Sequence, residues 1–209
     1  MNERTQRGFT LWELLTTLLV AGVLLGVGVP NLMEFQRTNA MVSAGNNVIS
    51  GLFLARTEAV KRQAPVTLCG SADPLVPAPV CSLGGNGGFI VFVDENNGIL
   101  GEVTDGNAVV DPNEQVLLQV DDPGGTIDVF GDGGQYMAYA PTGFALTRAP
   151  GHAQNATTTL LLCDERGNRD AGGRSAARVV QVIPTGRAQI LRSQLDVANA
   201  VAITGGICP

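Results

Sequence analysis

The sequence is poor in the residues on which most enzyme chemistry depends. Its 209 residues include one histidine, His152, and aromatic residues make up only 5% of the chain. No G-x-S-x-G, H-E-x-x-H or phosphate-loop pattern occurs. The run Gly84-Gly-Asn-Gly-Gly88 precedes a predicted strand and lacks a lysine, so it predicts a turn rather than a phosphate site. We therefore expect a protein that is not an enzyme and has no cofactor.

Positive charge is missing from the middle of the chain. No lysine or arginine occurs between Gln63 and Arg148, whereas eleven acidic residues do. From Arg148 onward there are seven arginines and only four acidic residues. The net charge of −6 therefore conceals an acidic middle and a basic C-terminal part.

One acidic run, Asp94 to Glu102, has oxygen ligands at alternate positions, as calcium sites do. However, Gly98 occupies a ligand position, and Ile99 stands where the glycine of a calcium loop is required. An acidic hairpin loop in solvent explains the run as well, and calcium is the less favoured alternative.

Charge is also nearly absent from the 25 residues Phe9 to Met33, which carry only Glu13. A helix of this length spans roughly 37 Å, enough to cross a bilayer core of about 30 Å. Arg4 and Arg7 precede it and favour a cytoplasmic N-terminus, which places the rest of the chain outside the cytoplasm. A carboxylate in an apolar helix costs ~2.5–3.5 kcal/mol, so we expect Glu13 to have a partner. The alternative is a carboxylate that reaches the headgroups without a role.

The pattern remains helical after Pro30 but acquires two faces. Apolar residues recur at steps of three and four, which predicts an amphipathic continuation over residues 34–63 that packs on a globular domain. These residues are Met41, Val48, Leu52, Ala55 and Ala59. Pro30 and the glycines before it predict a kink or local melting between the two parts. Gln63-Ala-Pro65 predicts the end of the helix.

From Pro65 the pattern is that of short strands separated by turns. Strands are predicted at residues 66–69, 89–93, 116–120, 126–130, 136–140, 158–163, 178–183 and 187–191. Two Pro-Thr-Gly sequences, at 141–143 and 184–186, predict tight hairpin connections. One long helix followed by these strands indicates an α+β protein whose residues 64–209 form a mostly antiparallel sheet domain.

Four cysteines lie in the part expected outside the cytoplasm, which suggests two disulfides. Three pairings are possible. We favour Cys69–Cys81, which closes a short local loop, and Cys163–Cys208, which ties the C-terminal end to a strand. Zinc is the competing use of cysteine, but the chain has no C-x-x-C sequence, so we expect no metal site.

The N-terminal segment differs from an ordinary secretory signal. No A-x-A-like cleavage site follows it, and the small residue expected at a cleavage point precedes it, at Gly8. The sequence Arg7-Gly-Phe-Thr-Leu-Trp-Glu-Leu-Leu15 resembles the class III signal of type IV pilins and type II secretion pseudopilins. The resemblance implies that a prepilin peptidase removes residues 1–8, that Phe9 is N-methylated, and that the helix 9–33 stays in the inner membrane. It also implies that Glu13 meets the positive N-terminus of a neighbouring subunit.

Later segments narrow the resemblance to the FimT/GspH family of minor pilins and pseudopilins. The matching segments are residues 54–61, 66–69, 89–94, 162–167, 177–180 and 184–187. This resemblance implies a pilin-like fold and a structural subunit of a type II secretion pseudopilus or type IV pilus. Its domain would be periplasmic, and its partners would be other pilin-like subunits.

A DNA-binding role is the alternative function. Some members of the FimT branch bind DNA during uptake through a C-terminal Gly-Arg-x-Arg motif. Gly186-Arg-Ala-Gln189 matches only its first half, although Arg192 lies nearby. Clustered cations bind phosphates without sequence preference, so Arg178, Arg187 and Arg192 are the candidate DNA contacts. A solvated strand edge whose charges discourage edge pairing is the competing explanation.

Overall fold

The computed structural model describes residues 8–82, 88–94, 110, 114–121, 127–131, 136–146, 157–206 and 208. The chain divides into two compact units, Met1–Asn39 and Ala40–Pro209. Two helices are present in the described residues. The first, α1 (Leu11–Arg62), begins in the first unit and ends in the second, and α2 (Gln194–Thr204) lies near the C-terminus.

The first helix is continuous over 52 residues, including Pro30. Of the two alternatives predicted at this proline, local melting is therefore wrong, and a kink stays a prediction. A proline removes one backbone hydrogen bond from the helix ladder, and a long helix absorbs that loss without ending. The predicted end is confirmed, because α1 stops at Arg62 and Gln63 takes a left-handed conformation with φ 59°.

Nine strands are present in the described part of the chain, and they form two sheets. The strands are β1 (Val66–Gly70), β2 (Phe89–Val93), β3 (Val116–Val120), β4 (Asp128–Gly131), β5 (Tyr136–Tyr139), β6 (Ala145–Leu146), β7 (Thr158–Cys163), β8 (Arg178–Val182) and β9 (Ala188–Leu191). Sheet 1 has the order β3-β2-β1-β5-β6 and sheet 2 the order β4-β7-β8-β9. All neighbouring strands pair antiparallel. The predicted α+β class is confirmed, whereas the division into two sheets and the short β6 were not predicted.

The second half of α1 packs on both sheets through the apolar face that the sequence predicts. The five residues of that face are at most 4% exposed. They share one core with residues of β1, β2, β5, β7 and β8. Because α1 covers strands of both sheets, its apolar face forms the centre of the second unit.

Strand β7 contributes to two layers at once. Leu160 and Leu162 join the core beneath α1, whereas Leu161 and Cys163 pack with Val197 of α2. Side chains alternate between the two faces of a strand, so a strand with an apolar residue at every position can be buried on both sides. Sheet 2 therefore lies between α1 on one face and α2 on the other.

Helix α2 was not predicted, although its boundaries carry ordinary signals. The hydroxyl of Ser193 accepts a hydrogen bond from the backbone N–H of Asp196 at 3.0 Å, which caps the N-terminus. At the other end Gly205 takes φ 65° and donates its N–H to the carbonyl of Val201. A glycine in the left-handed region is a common helix stop.

Two disulfides fasten the periphery to the sheets. Cys69 of β1 bonds to Cys81, and Cys163 of β7 bonds to Cys208 beyond α2. These are the two pairs that the sequence analysis favours. The first bond lies on the outer face of sheet 1, where Cys81 packs with Ile90 and Phe92.

The two Pro-Thr-Gly sequences form hairpin turns, as predicted, between β5 and β6 and between β8 and β9. Gly143 and Gly186 both take φ 79°, a backbone angle that residues other than glycine rarely adopt. The second turn also bonds to β6, because the N–H of Ala145 donates to the carbonyl of Pro184 at 3.2 Å. Arg56 of α1 donates to a backbone carbonyl of the second turn at 3.0 Å. These bonds join sheet 1, sheet 2 and α1 at one point.

Candidate functional site

The first part of α1, together with the residues just before it, presents a long apolar surface. Residues 8–29 and 31–33 are all exposed, including Leu11 at 76% and Trp12 at 74%. By length and composition α1 is able to cross a membrane. An exposed apolar surface of this extent marks a membrane or protein contact site. The segment is thus the leading candidate for function.

The only carboxylate in this segment lies at the start of the helix. Glu13 Oε2 accepts hydrogen bonds from the backbone N–H of Thr10 at 2.9 Å and from the Thr10 hydroxyl at 3.0 Å. In return, the N–H of Glu13 donates to the Thr10 hydroxyl at 3.3 Å. This reciprocal arrangement is a capping box. The Thr-x-x-Glu spacing predicts it, but the sequence analysis did not identify it. Oε1 of Glu13 forms no hydrogen bond within the described residues, so one carboxylate oxygen remains open to another chain.

The predicted processing point lies just before the capping box. Gly8 and Phe9 are both exposed and precede the first helical residue, Leu11. Arg4 and Arg7 of the leader lie outside the described residues. Cleavage after Gly8, methylation of Phe9 and pairing of Glu13 therefore stay predictions.

The three candidate DNA contacts are placed in different surroundings. Arg187 is exposed, Arg192 is half-buried, and Arg178 is only 3% exposed. Nη1 of Arg178 donates to three consecutive backbone carbonyls, those of residues 175–177, at 2.9–3.0 Å. Burial first, and the charge of Arg192 second, lower the pKa of Arg178 to about 10. A side chain this buried is poorly placed to meet a DNA backbone, so Arg178 is the weakest of the three candidates.

Arg178 and Arg192 instead meet at a cavity of about 200 Å³ between α1 and sheet 2. Its remaining lining residues are Met41, Val42, Gly45, Asn46 and Ile190. Arg187 does not line this cavity. The structure therefore separates the three candidates: Arg187 is exposed to solvent, whereas Arg178 and Arg192 line one cavity. DNA contact by Arg187 and Arg192 stays a prediction.

The other candidate sites fall largely outside the described residues. His152, residues 84–87 of the glycine-rich run and residues 95–102 of the acidic run are among those not described. Asp94 is fully buried and accepts a hydrogen bond from the Thr67 hydroxyl at 2.8 Å. Within the described ranges, no three residues of histidine, cysteine, aspartate or glutamate are grouped so that they could hold a metal ion.

Comparison with known proteins decides the family. A family model described as Type II transport protein GspH matches residues 44–186, which is more than half of the chain. The chain belongs to the GspH family. This confirms the resemblance drawn from the sequence. The matched region contains the second part of α1, both Pro-Thr-Gly turns and most of both sheets, and it ends before α2.

Individual proteins resemble the chain over part of its length or at low sequence identity. The chain is 37% identical over 92 residues to the pilin-like protein PilA1 of Thermus thermophilus, covering 44% of this chain and 51% of the relative. It thus spans about half the length of that relative. Among solved structures, one crystal form of the type IV minor pilin FimU of Pseudomonas aeruginosa matches with a TM-score of 0.43 and 16% identity, covering 75% of this chain and 92% of FimU. A second crystal form gives a TM-score of 0.41 and 17% identity, covering 71% and 90%.

Proposed function

We propose that the mature chain is a minor pilin or pseudopilin, a non-enzymatic structural subunit of a type II secretion pseudopilus or a type IV pilus. The observation that carries this proposal is the exposed apolar surface of α1 before residue 34, which holds one carboxylate. A segment of this composition is stable only in lipid or against other apolar helices. Membership of the GspH family supports the second environment for the assembled state.

The proposed assembly contact uses the open oxygen of Glu13. Cleavage by a prepilin peptidase after Gly8 leaves Phe9 as the mature N-terminus, which carries a positive charge. The capping box holds the Glu13 side chain in place through Oε2 and leaves Oε1 unbonded within the described residues. A charged N-terminus of a neighbouring subunit would then offset the cost of keeping this carboxylate in an apolar environment. The neighbouring pilin-like subunits are the principal partners.

The proposed location of each part follows from the same segment. Residues 9–33 anchor the chain in the inner membrane as a single helix, and residues 34–63 continue it into the periplasm. Residues 64–209 form the periplasmic domain. Its two disulfides support this location, because disulfides persist in oxidising compartments.

The test separates the charge of Glu13 from its capping role. Glu13→Gln keeps a hydrogen-bond acceptor for the capping box but removes the charge. Leaving the neighbour's charge unpaired in an apolar environment costs about 3–5 kcal/mol, which corresponds to a loss of roughly a hundredfold or more in association. We expect the variant to be inserted and cleaved normally but to be missing from sheared filaments or pseudopili.

Thr10→Val is the matched control, because it removes the capping hydroxyl and keeps the Glu13 charge. We expect this variant to assemble close to the wild-type level. Normal filament recovery of Glu13→Gln, or an equal loss in both variants, would contradict the assembly role of the charge.

A further inference from the structure

The cavity between α1 and sheet 2 contains a preorganised guanidinium group. Three backbone carbonyls hold Nη1 of Arg178, so the side chain is fixed within the wall of the cavity. Its Nε and Nη2 groups form no hydrogen bond to any residue in the described ranges. These donors are available to a ligand, and a guanidinium presents such donors as a planar fork that matches an oxyanion.

The second guanidinium of the cavity has an unsatisfied donor. Nε of Arg192 is buried and has no hydrogen-bond partner in the described part of the chain. A buried donor without a partner costs free energy, and native proteins rarely retain one without a reason. Two arginines that line one cavity, each with open donors, form a built site for a negatively charged group.

The carboxylate of Asp164 acts on Arg178, but it is also bonded to another arginine. Asp164 accepts hydrogen bonds from Nε and Nη2 of Arg166 at 2.9 and 2.6 Å, and from the Arg166 backbone N–H at 3.0 Å. It is thus already used by a third arginine in a buried ion pair. Besides Arg192, the charges that act on Arg178 include those of Arg166 and Arg174. Among the described residues, the only charged ones that line the cavity are these two arginines, so the cavity suits an anion.

The uncharged walls indicate which anion fits. Met41, Val42 and Ile190 supply aliphatic surface next to the two guanidinium groups, and Gly45 lines the α1 side of the cavity without a side chain. An inorganic anion has no apolar surface to bury against the aliphatic walls. A carboxylate on a methylene stem can bury the stem there. A volume of about 200 Å³ is large enough for an aspartate or glutamate side chain.

We propose that this cavity binds an acidic side chain of a neighbouring subunit, with the carboxylate held between Arg178 and Arg192. The assignment of the occupant to a neighbouring subunit rests on the proposed assembly function. Charge also favours it, because a second copy of this chain has acidic residues to supply: eleven lie between residues 63 and 148.

The first experiment measures carboxylate binding at the cavity. Full-length mature protein labelled with ¹⁵N is titrated in detergent micelles with glutarate, and with inorganic phosphate at equal ionic strength. The arginine Nε–Hε resonances report binding directly. We expect glutarate to shift the Arg178 and Arg192 resonances saturably and at lower concentration than phosphate. Shifts of neither resonance, or saturation by phosphate alone, would overturn the carboxylate site.

Two variants and one control localise the binding. Arg192→Gln removes one charged donor and is expected to weaken glutarate binding about tenfold or more. Gly45→Leu fills the α1 side of the cavity while keeping both arginines, and is expected to weaken it similarly. Arg169→Gln removes an exposed arginine outside the cavity and is expected to leave binding unchanged. Equal binding by Arg192→Gln and Arg169→Gln would show that the cavity is not the site.

A filament assay then tests the neighbouring subunit as the source of the carboxylate. We expect Arg192→Gln and Gly45→Leu to insert and to be cleaved normally but to be recovered several-fold less in sheared filaments than Arg169→Gln. If Arg192→Gln loses glutarate binding yet assembles at the level of the control, the neighbouring-subunit assignment is wrong. Failure of the assembly function itself would instead appear as normal assembly of Glu13→Gln, so the two failures are distinguishable.

Discussion

The close approach of α1 to sheet 1 gives a sharp test of the packing. Gly51 lies on the buried face of α1, where a methyl group would come within 2.8 Å of Phe89 Cε2 and 2.9 Å of Leu68 Cδ1. Gly45 is also buried against a sheet, and a methyl group there would meet only Ile190 Cδ1 at 3.4 Å, an ordinary contact. The same Gly→Ala change is therefore expected to have opposite signs at the two positions.

The size of the stability difference between the two variants follows from two opposing effects. Alanine stabilises a helix interior relative to glycine by about 0.5–1 kcal/mol, and this gain is common to both variants. Overpacking a filled core costs about 1–3 kcal/mol, and this penalty applies only at Gly51, because Phe89 and Leu68 are at most 4% exposed and have little room to move. Gly45→Ala should thus be more stable than Gly51→Ala by about 1–3 kcal/mol.

Urea unfolding of the full-length mature protein in detergent, followed by circular dichroism, measures this difference. The comparison holds if the denaturant slopes of the variants agree, because the midpoints then report free energies of unfolding. A Gly51→Ala variant as stable as Gly45→Ala would refute the close contact between α1 and sheet 1.

Three further predictions address the disulfides, a buried tyrosine and the DNA alternative. Replacing Cys163 and Cys208 by serine should lower the free energy of unfolding by about 4 kcal/mol, because the bond joins residues 45 apart; an unchanged urea midpoint would contradict this. Burial raises the pKa of Tyr139 to about 12, above its usual 10.0, so this tyrosine stabilises the fold below pH 10 and loses that contribution as the pH approaches 12. Tyr139→Phe should therefore reduce the alkaline loss of stability in a pH series of unfolding curves, and an unchanged series would show that Tyr139 is not the group responsible. In gel-shift titrations, Arg187→Ala should weaken salt-sensitive DNA binding by the mature protein, and the absence of any salt-sensitive binding by the wild type would remove the DNA alternative.

Helix α1 was predictable because its apolar pattern is local. Residues at steps of three and four fall on one face of any helix, and the five residues that this rule selected are all buried. The choice between a kink and local melting at Pro30 was left open, since the sequence shows the missing donor but not how many other bonds support the helix.

The division into two sheets could not be predicted from a local sequence pattern. The period of two identifies strands but does not say which strands pair, and β1 pairs with β5, which matches Val66 to Tyr139 far along the chain. Helix α2 is a different kind of miss, because the Ser-x-x-Asp cap and Gly205 were both visible in the sequence.

The three candidate arginines show that composition alone cannot locate a functional site. Charge counts place Arg178, Arg187 and Arg192 in one basic region, and nothing in the sequence separates them. The separation arises from tertiary packing: Arg178 is held by backbone carbonyls and meets Arg192 at the cavity, while the side chain of Arg187 is exposed. Glu13, in contrast, was identifiable at once, because a single carboxylate in an apolar run is a local feature.

The central claim is that the apolar first part of α1 remains in the mature protein and carries it into an assembly. The most direct test is mass spectrometry of the N-terminal peptide of the chain recovered from membranes and sheared filaments. We expect a chain that begins at Phe9 with one added methyl group. A mature chain that begins beyond Pro30 would contradict it.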